Sequence, residues 1–338
     1  MRSIPTVLIT LLLALLTITI RVAEAAEPTA ETQVGFEQLK IPNDPDPPLT
    51  IGIWYPTTAP ATPHALGELT QTVAANAPVA GNHLPLVVLS HGGAGWYDGH
   101  YDTALALAHA GFVTAAVSHA GDTFNDQSKV LQLWRRPAQL HTLIDYMLKD
   151  WRGHAQIDPN RIGAFGFSNG GFTVLVAAGG TPDLSKVANF CDAHPDHDLC
   201  QAVHQAGVDL HTIPTPPNSV WIHDPRIKAI AIAAPSFGFT FGRAGLTDIK
   251  VPVELWSGAD DHHQPHPFYD EPIRTDLPKP PDFHLVEKAG HYDFLPPCGP
   301  SLTKARPEIC TSEPGFDRAA FHDEFNAAIV HFFQTTLP

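Results

Sequence analysis

The stretch Arg161-Ile-Gly-Ala-Phe-Gly-Phe-Ser-Asn-Gly-Gly171 constrains this chain more than any other. Ile162 to Phe167 is a short apolar run, long enough for one buried strand. Gly166-Phe-Ser-Asn-Gly170 follows as a G-x-S-x-G match, and Phe172 to Ala178 reads as the start of a buried helix. Strand, tight turn and helix are the context this motif requires. The glycines on either side of Ser168 leave room for the chain to double back. The serine hydroxyl is then presented at the C-terminal edge of a sheet, beside a helix N-terminus. There backbone N–H groups and the helix dipole favour a developing oxyanion.

The same alternation of strand and helix runs along the chain. Val34 to Lys40 and Leu49 to Tyr55 read as strands, and Thr57 to His83, rich in Ala, Pro and Thr, as a long surface loop. Leu84 to Leu89 is a buried strand ending in Ser90-His-Gly-Gly-Ala-Gly95. A helix over Tyr101 to Ala110 and a strand over Phe112 to Val117 complete a βαβ unit, which implies a largely parallel sheet with helices on both faces. Leu140, Leu143, Ile144, Met147 and Leu148 fall on one face of a helix from about Pro137 to Lys149. Ile227 to Ala234, Val251 to Trp256 and Phe283 to Glu287 are the remaining strands, and Asp317 to Phe333 the last helix. That makes eight strands. Residues 181–225 interrupt the alternation with prolines, histidines and two cysteines. This insert is expected over the C-terminal edge of the sheet as a cap.

Residues 1–25 read as a secretory signal: Arg2, an apolar run from Val7 to Ile20, and Ala23-Glu-Ala25 as an A-x-A cleavage site. About 14 apolar residues fall short of the roughly 18–20 a membrane span needs. The domain expected after cleavage is 26–338, secreted or periplasmic. The formal charge of the whole chain is −15; removing Arg2, Arg21 and Glu24 takes away a net +1 and leaves −16. Such a surface repels nucleic acid and anionic membranes. In an exported chain the four cysteines, at 191, 200, 298 and 310, suggest the local disulfides Cys191–Cys200 and Cys298–Cys310, with three pairings formally open.

A serine nucleophile needs a base, and the base needs an orienting carboxylate. In this architecture the chain order is Ser, then Asp or Glu, then His. Gly258-Ala-Asp-Asp261 follows one late strand and Gly290-His291 the next, so Ser168, Asp261 and His291 form the expected catalytic set, with Asp260 the rival acid. Ser236 is a rival serine without the first glycine. Asn169 and Gly93 are the expected oxyanion donors, with Gly92 the alternative to Gly93. Cys191–Cys200 and Asp261–His266 carry metal-ligating side chains, but proper zinc spacings are missing, so no metal is expected.

Ile53-Trp-Tyr-Pro56, Ser90-His-Gly-Gly93, Gly166-Phe-Ser-Asn-Gly-Gly171 and Gly290-His-Tyr-Asp-Phe294 together resemble the α/β-hydrolase superfamily. Within it the chain looks like the bacterial dienelactone-hydrolase-like group related to platelet-activating-factor acetylhydrolases. The resemblance runs from about Val34 to the end. It implies an α/β-hydrolase fold, a Ser168–His291–Asp261 triad, no cofactor and a small-molecule ester as substrate. Dienelactone hydrolases carry cysteine where this chain has Ser168, which argues against dienelactone but not against ester hydrolysis. A proline-rich insert braced by a disulfide makes a rigid rim, so short acyl esters are expected. The oligomeric state is not legible.

Overall fold

The computed structural model describes residues 32–213 and 215–338; the expected signal segment lies outside them. The frame is one ten-stranded sheet. Its strands are β1 (Gln33–Ile41), β2 (Leu49–Thr57), β3 (Thr62–Leu66), β4 (Leu69–Ala75), β5 (Leu84–Ser90), β6 (Val113–Ser118), β7 (Ile157–Phe167), β8 (Ile227–Ala233), β9 (Val253–Gly258) and β10 (Asp282–Val286). Their spatial order is β10-β9-β8-β7-β5-β6-β2-β1-β4-β3. From β6 to β10 every neighbouring pair is parallel, while β2 runs antiparallel to both β6 and β1. The sheet is therefore mixed, with a parallel part that carries the site.

The helices are α1 (Tyr101–His109), α2 (Arg135–Lys149), α3 (Asn169–Ala177), α4 (Lys186–Ala193), α5 (Asp198–Gln205), α6 (Gly242–Leu246), α7 (Glu271–Asp276), α8 (Pro300–Ala305), α9 (Pro307–Cys310) and α10 (Arg318–Thr336). The period-two geometry of β5 splits its apolar run between two cores. Leu86 and Val88 pack with Leu140, Leu143 and Ile144 of α2 and Val174 of α3. Val87 and Leu89 pack with Leu107 of α1 and Phe325 and Phe333 of α10. Strands covered on both faces read as continuous apolar runs, which is why these were legible.

Two expectations are corrected. The sheet has ten strands rather than eight, and the supposed loop 57–83 holds the β3–β4 hairpin, closed by the two-residue turn Gly67-Glu68. The alternation in β4 is carried partly by a polar residue: Gln71 is buried because its Oε1 accepts from Trp54 Nε1 at 2.8 Å. A buried glutamine and Pro63 disguise the strand pattern.

Candidate active site

The turn between β7 and α3 is shaped by close packing. Ser168 sits at φ 56°, ψ −120°, a conformation costly for a residue with a Cβ. A Cβ on Gly166 would lie 2.2 Å from Gly170 O, and one on Gly170 1.8 Å from Ser90 O. No side chain fits at either position, which is the steric reason for the two flanking glycines. Ser168 N–H donates to Ala233 O at 2.9 Å, and Ser236 N–H to Ser168 O at 3.0 Å. These bonds hold the strained residue against the end of β8.

His291 Nε2 lies 3.0 Å from Ser168 Oγ, and His291 Nδ1 lies 2.8 Å from Asp261 Oδ2. Asp261 Oδ1 accepts the N–H groups of His263 at 2.8 Å and Gln264 at 2.7 Å. Burial pushes the Asp261 carboxyl up, but the adjacent His291 and these two N–H bonds outweigh it and hold the pKa below the usual range. Asp260 is exposed, and its backbone N–H donates to Ala289 O at 3.1 Å. Ser236 Oγ lies 3.2 Å from Ser168 Oγ. The geometry thus brings together the three residues expected as catalytic and sets the rival serine beside them.

Gly93 and Asn169 both line the cavity that opens over Ser168. The loop carrying Gly93 rests on a buried ionic network that the sequence did not disclose. Arg136 Nη1 donates to Asp122 Oδ2 at 2.5 Å, Arg136 Nε donates to Thr173 Oγ1 at 3.0 Å, and Arg136 Nη2 donates to His91 O. Asp122 Oδ1 accepts Ala94 N–H at 2.7 Å. Both peptide groups flanking Gly92-Gly93 are therefore tied to one ion pair. Below it, Ser90 Oγ meets His119 Nε2 at 2.8 Å, and His119 N–H donates to His91 Nε2 at 3.0 Å. Burial and the Arg136 charge lower the His91 pKa to about 3 and put His119 well below its ordinary value, so both rings are neutral. Of these residues the sequence singled out only Ser90 and His91, as part of the glycine loop after β5; nothing in it marked Arg136 or Asp122.

The cavity has a volume of about 1260 Å³. One wall comes from residues 130–134, the other from the insert through residues such as Leu184, Val187, Leu199, Val203 and Ile213. The Cys191–Cys200 disulfide joins α4 to α5 within the insert, and Cys298–Cys310 closes the segment holding α8 and α9. Neither histidine-rich stretch weighed for a metal assembles a three-ligand cluster among the described residues. Such a cluster occurs instead at Glu254, Asp282 and His284.

No family model matches the sequence, and no curated protein matches it. Solved structures do. The ferulic acid esterase from Streptomyces cinnamoneus aligns at 18% identity over 93% of this chain and 92% of that one, with a TM-score of 0.60. The dienelactone hydrolase from Anabaena variabilis ATCC 29413 aligns at 14% identity over 91% of this chain and 100% of that one, with a TM-score of 0.51. At such identities the likeness is one of architecture, and it settles the fold: the chain has the α/β-hydrolase fold.

Proposed function

We propose that this chain is an exported serine hydrolase that cleaves carboxylic esters through an acyl-enzyme. The observation that carries the reading is the hydrogen-bonded line from Ser168 Oγ through His291 to Asp261 Oδ2. In this reading His291 Nε2 takes the Ser168 proton as Oγ attacks the ester carbonyl, then returns it to the departing alcohol. Asp261 holds the ring with Nδ1–H toward the carboxylate and stabilises the imidazolium. The N–H groups of Asn169 and Gly93 receive the oxyanion, aided by the N-terminus of α3. Water deacylates the enzyme by the same proton path. Two neighbours of the same fold bear the names of ester-cleaving enzymes, which supports the reaction class. The two disulfides support export, and no helix among the described residues is long and apolar enough to cross a membrane.

The acyl group has two readings. The disulfide within the insert favours the short acyl chains expected from the sequence. The cavity favours an ester with one bulky apolar part, since about 1260 Å³ exceeds the roughly 300–1,000 Å³ of common ligand pockets. An ester series from C2 to C16, with methyl ferulate as the aromatic member, separates them. A peak at acetate to butyrate keeps the short-chain reading; a peak at ferulate or above C8 assigns the volume to the acyl group. Ser168→Ala should lower kcat by several orders of magnitude on every member. Wild-type rates in Ser168→Ala would refute the serine mechanism.

A further inference from the structure

Strands β9 and β10 place Glu254 directly beside Asp282, and Trp256 directly beside His284. The two-residue period puts all four side chains on one face of the sheet. There a carboxylate oxygen of Glu254, one of Asp282 and a ring nitrogen of His284 lie within 4.8 Å of one another. The Glu254 side chain is only 2% exposed. Its Oε2 has no hydrogen-bond partner, and neither has His284 Nε2, among the described residues. Among those residues the carboxylate is met only by His284, 3.6 Å from Oε1, and a buried carboxylate with one oxygen unpaired is costly.

We propose that Glu254, Asp282 and His284 bind a divalent transition-metal ion of the zinc type. The spacing of His284 to each carboxylate fits the ion, and the three ligand atoms lie within 4.8 Å of one another. His284 Nε2 lies 3.6 Å from Glu254 Oε1 and 3.4 Å from Asp282 Oδ1. A tetrahedral ion with bonds of about 2.0–2.1 Å sets its ligands about 3.3–3.4 Å apart. Two carboxylates and a neutral imidazole carry −2, which a divalent cation cancels. An imidazole ligand favours zinc-like ions over calcium and magnesium, which take oxygen. The Trp256 ring stacks on His284 with centroids 3.9 Å apart and planes at 14°, fixing the ligand ring. Asp282 faces solvent, leaving a fourth position for water.

The site lies at the opposite end of β9 from Asp261, so its role is structural. It clamps β10, the outermost strand on that side of the sheet, to β9. β10 leads into the loop that carries His291, so the clamp secures the segment bearing that residue.

The test uses the untagged full chain, stripped with EDTA, dialysed and titrated with zinc alone. The chain holds 20 histidines, so the comparison is with Glu254→Gln and His284→Ala. Wild type should bind one zinc more per chain than either variant. Its Tm should rise by about 4 °C at a hundredfold excess of zinc over Kd, while both variants show no rise. Cobalt in place of zinc should give the visible absorption of a tetrahedral site in wild type alone. Should Glu254→Gln fail to fold, His284→Ala carries the comparison, because His284 is one-third exposed. Equal zinc uptake by all three proteins overturns the proposal, as does a wild-type Tm indifferent to zinc. A Glu254–imidazolium ion pair without metal would give the latter result.

Discussion

Replacing Arg136 with methionine tests the ionic network under the Gly93 loop. The Arg136 and Asp122 side chains are 3% and 4% exposed, so the substitution strands a carboxylate in the interior. Removing one partner of a buried ion pair costs about 3–5 kcal/mol, a large part of the 5–15 kcal/mol that holds a typical domain folded. His91 O also loses its donor, and the unpaired Asp122 no longer has a fixed position from which to hold Ala94 N–H. Deleting one oxyanion donor outright costs about 10²–10³ in kcat, so a displaced one should cost about 10–100-fold, with KM changed less. Urea unfolding followed by tryptophan fluorescence and p-nitrophenyl acetate kinetics measure the two effects. The double variant Arg136→Met/Asp122→Leu separates them. It should recover most of the stability, since no charge is left buried, but not the rate, since Ala94 N–H still lacks its acceptor. A single variant within about 1 kcal/mol of wild type, or a double variant with wild-type kcat, would refute the reasoning.

Three other perturbations have defined outcomes. His100 is buried against Phe165 and Phe167, and burial lowers its pKa to about 4. The unfolded chain therefore takes up a proton near pH 6.5 that the folded chain refuses, so the stability tied to His100 is fully present above 6.5 and is lost as pH drops toward 4, by about 1.4 kcal/mol per pH unit for this one group. His100→Leu should make the urea-midpoint profile less steep between pH 6.5 and 4, with the buried His91 and His119 keeping the slope that remains, and an unchanged profile would contradict it. Gly170→Ala drives a Cβ into Ser90 O and should cost about 3 kcal/mol or more with loss of hydrolysis, whereas Gly207→Ala, in open space at φ 65°, should leave hydrolysis intact. Reducing Cys191–Cys200 frees a short loop worth about 2–3 kcal/mol in the chain-entropy model. Hydrogen exchange should then quicken in 186–205 while β7 and α3 stay protected.

What the sequence disclosed depends on local sterics. The turn at Ser168 was legible because backbone crowding admits only glycine two residues away on each side. Asp261 and His291 were legible because loops after parallel strands share one edge of the sheet. The β3–β4 hairpin was not, because Gln71 is buried by its bond to Trp54 from another strand. The Arg136–Asp122 pair joins the start of α2 to the loop after β6, so it exists only in the folded chain. Cavity volume likewise depends on how the insert packs against residues 130–134. The Glu254–Asp282–His284 cluster is created by the register of β9 against β10, which neither strand encodes alone.

The central claim is that Ser168 is a nucleophile activated by His291. Reaction with a fluorophosphonate tests it most directly, because only an activated serine is phosphonylated quickly. Intact-protein mass spectrometry should show one label per chain, and peptide mapping should place it on Ser168. His291→Ala should slow labelling by several orders of magnitude, and Ser168→Ala should abolish it while circular dichroism stays unchanged. Label on Ser236 in the wild type, or a folded wild-type chain that takes up none, would contradict the account.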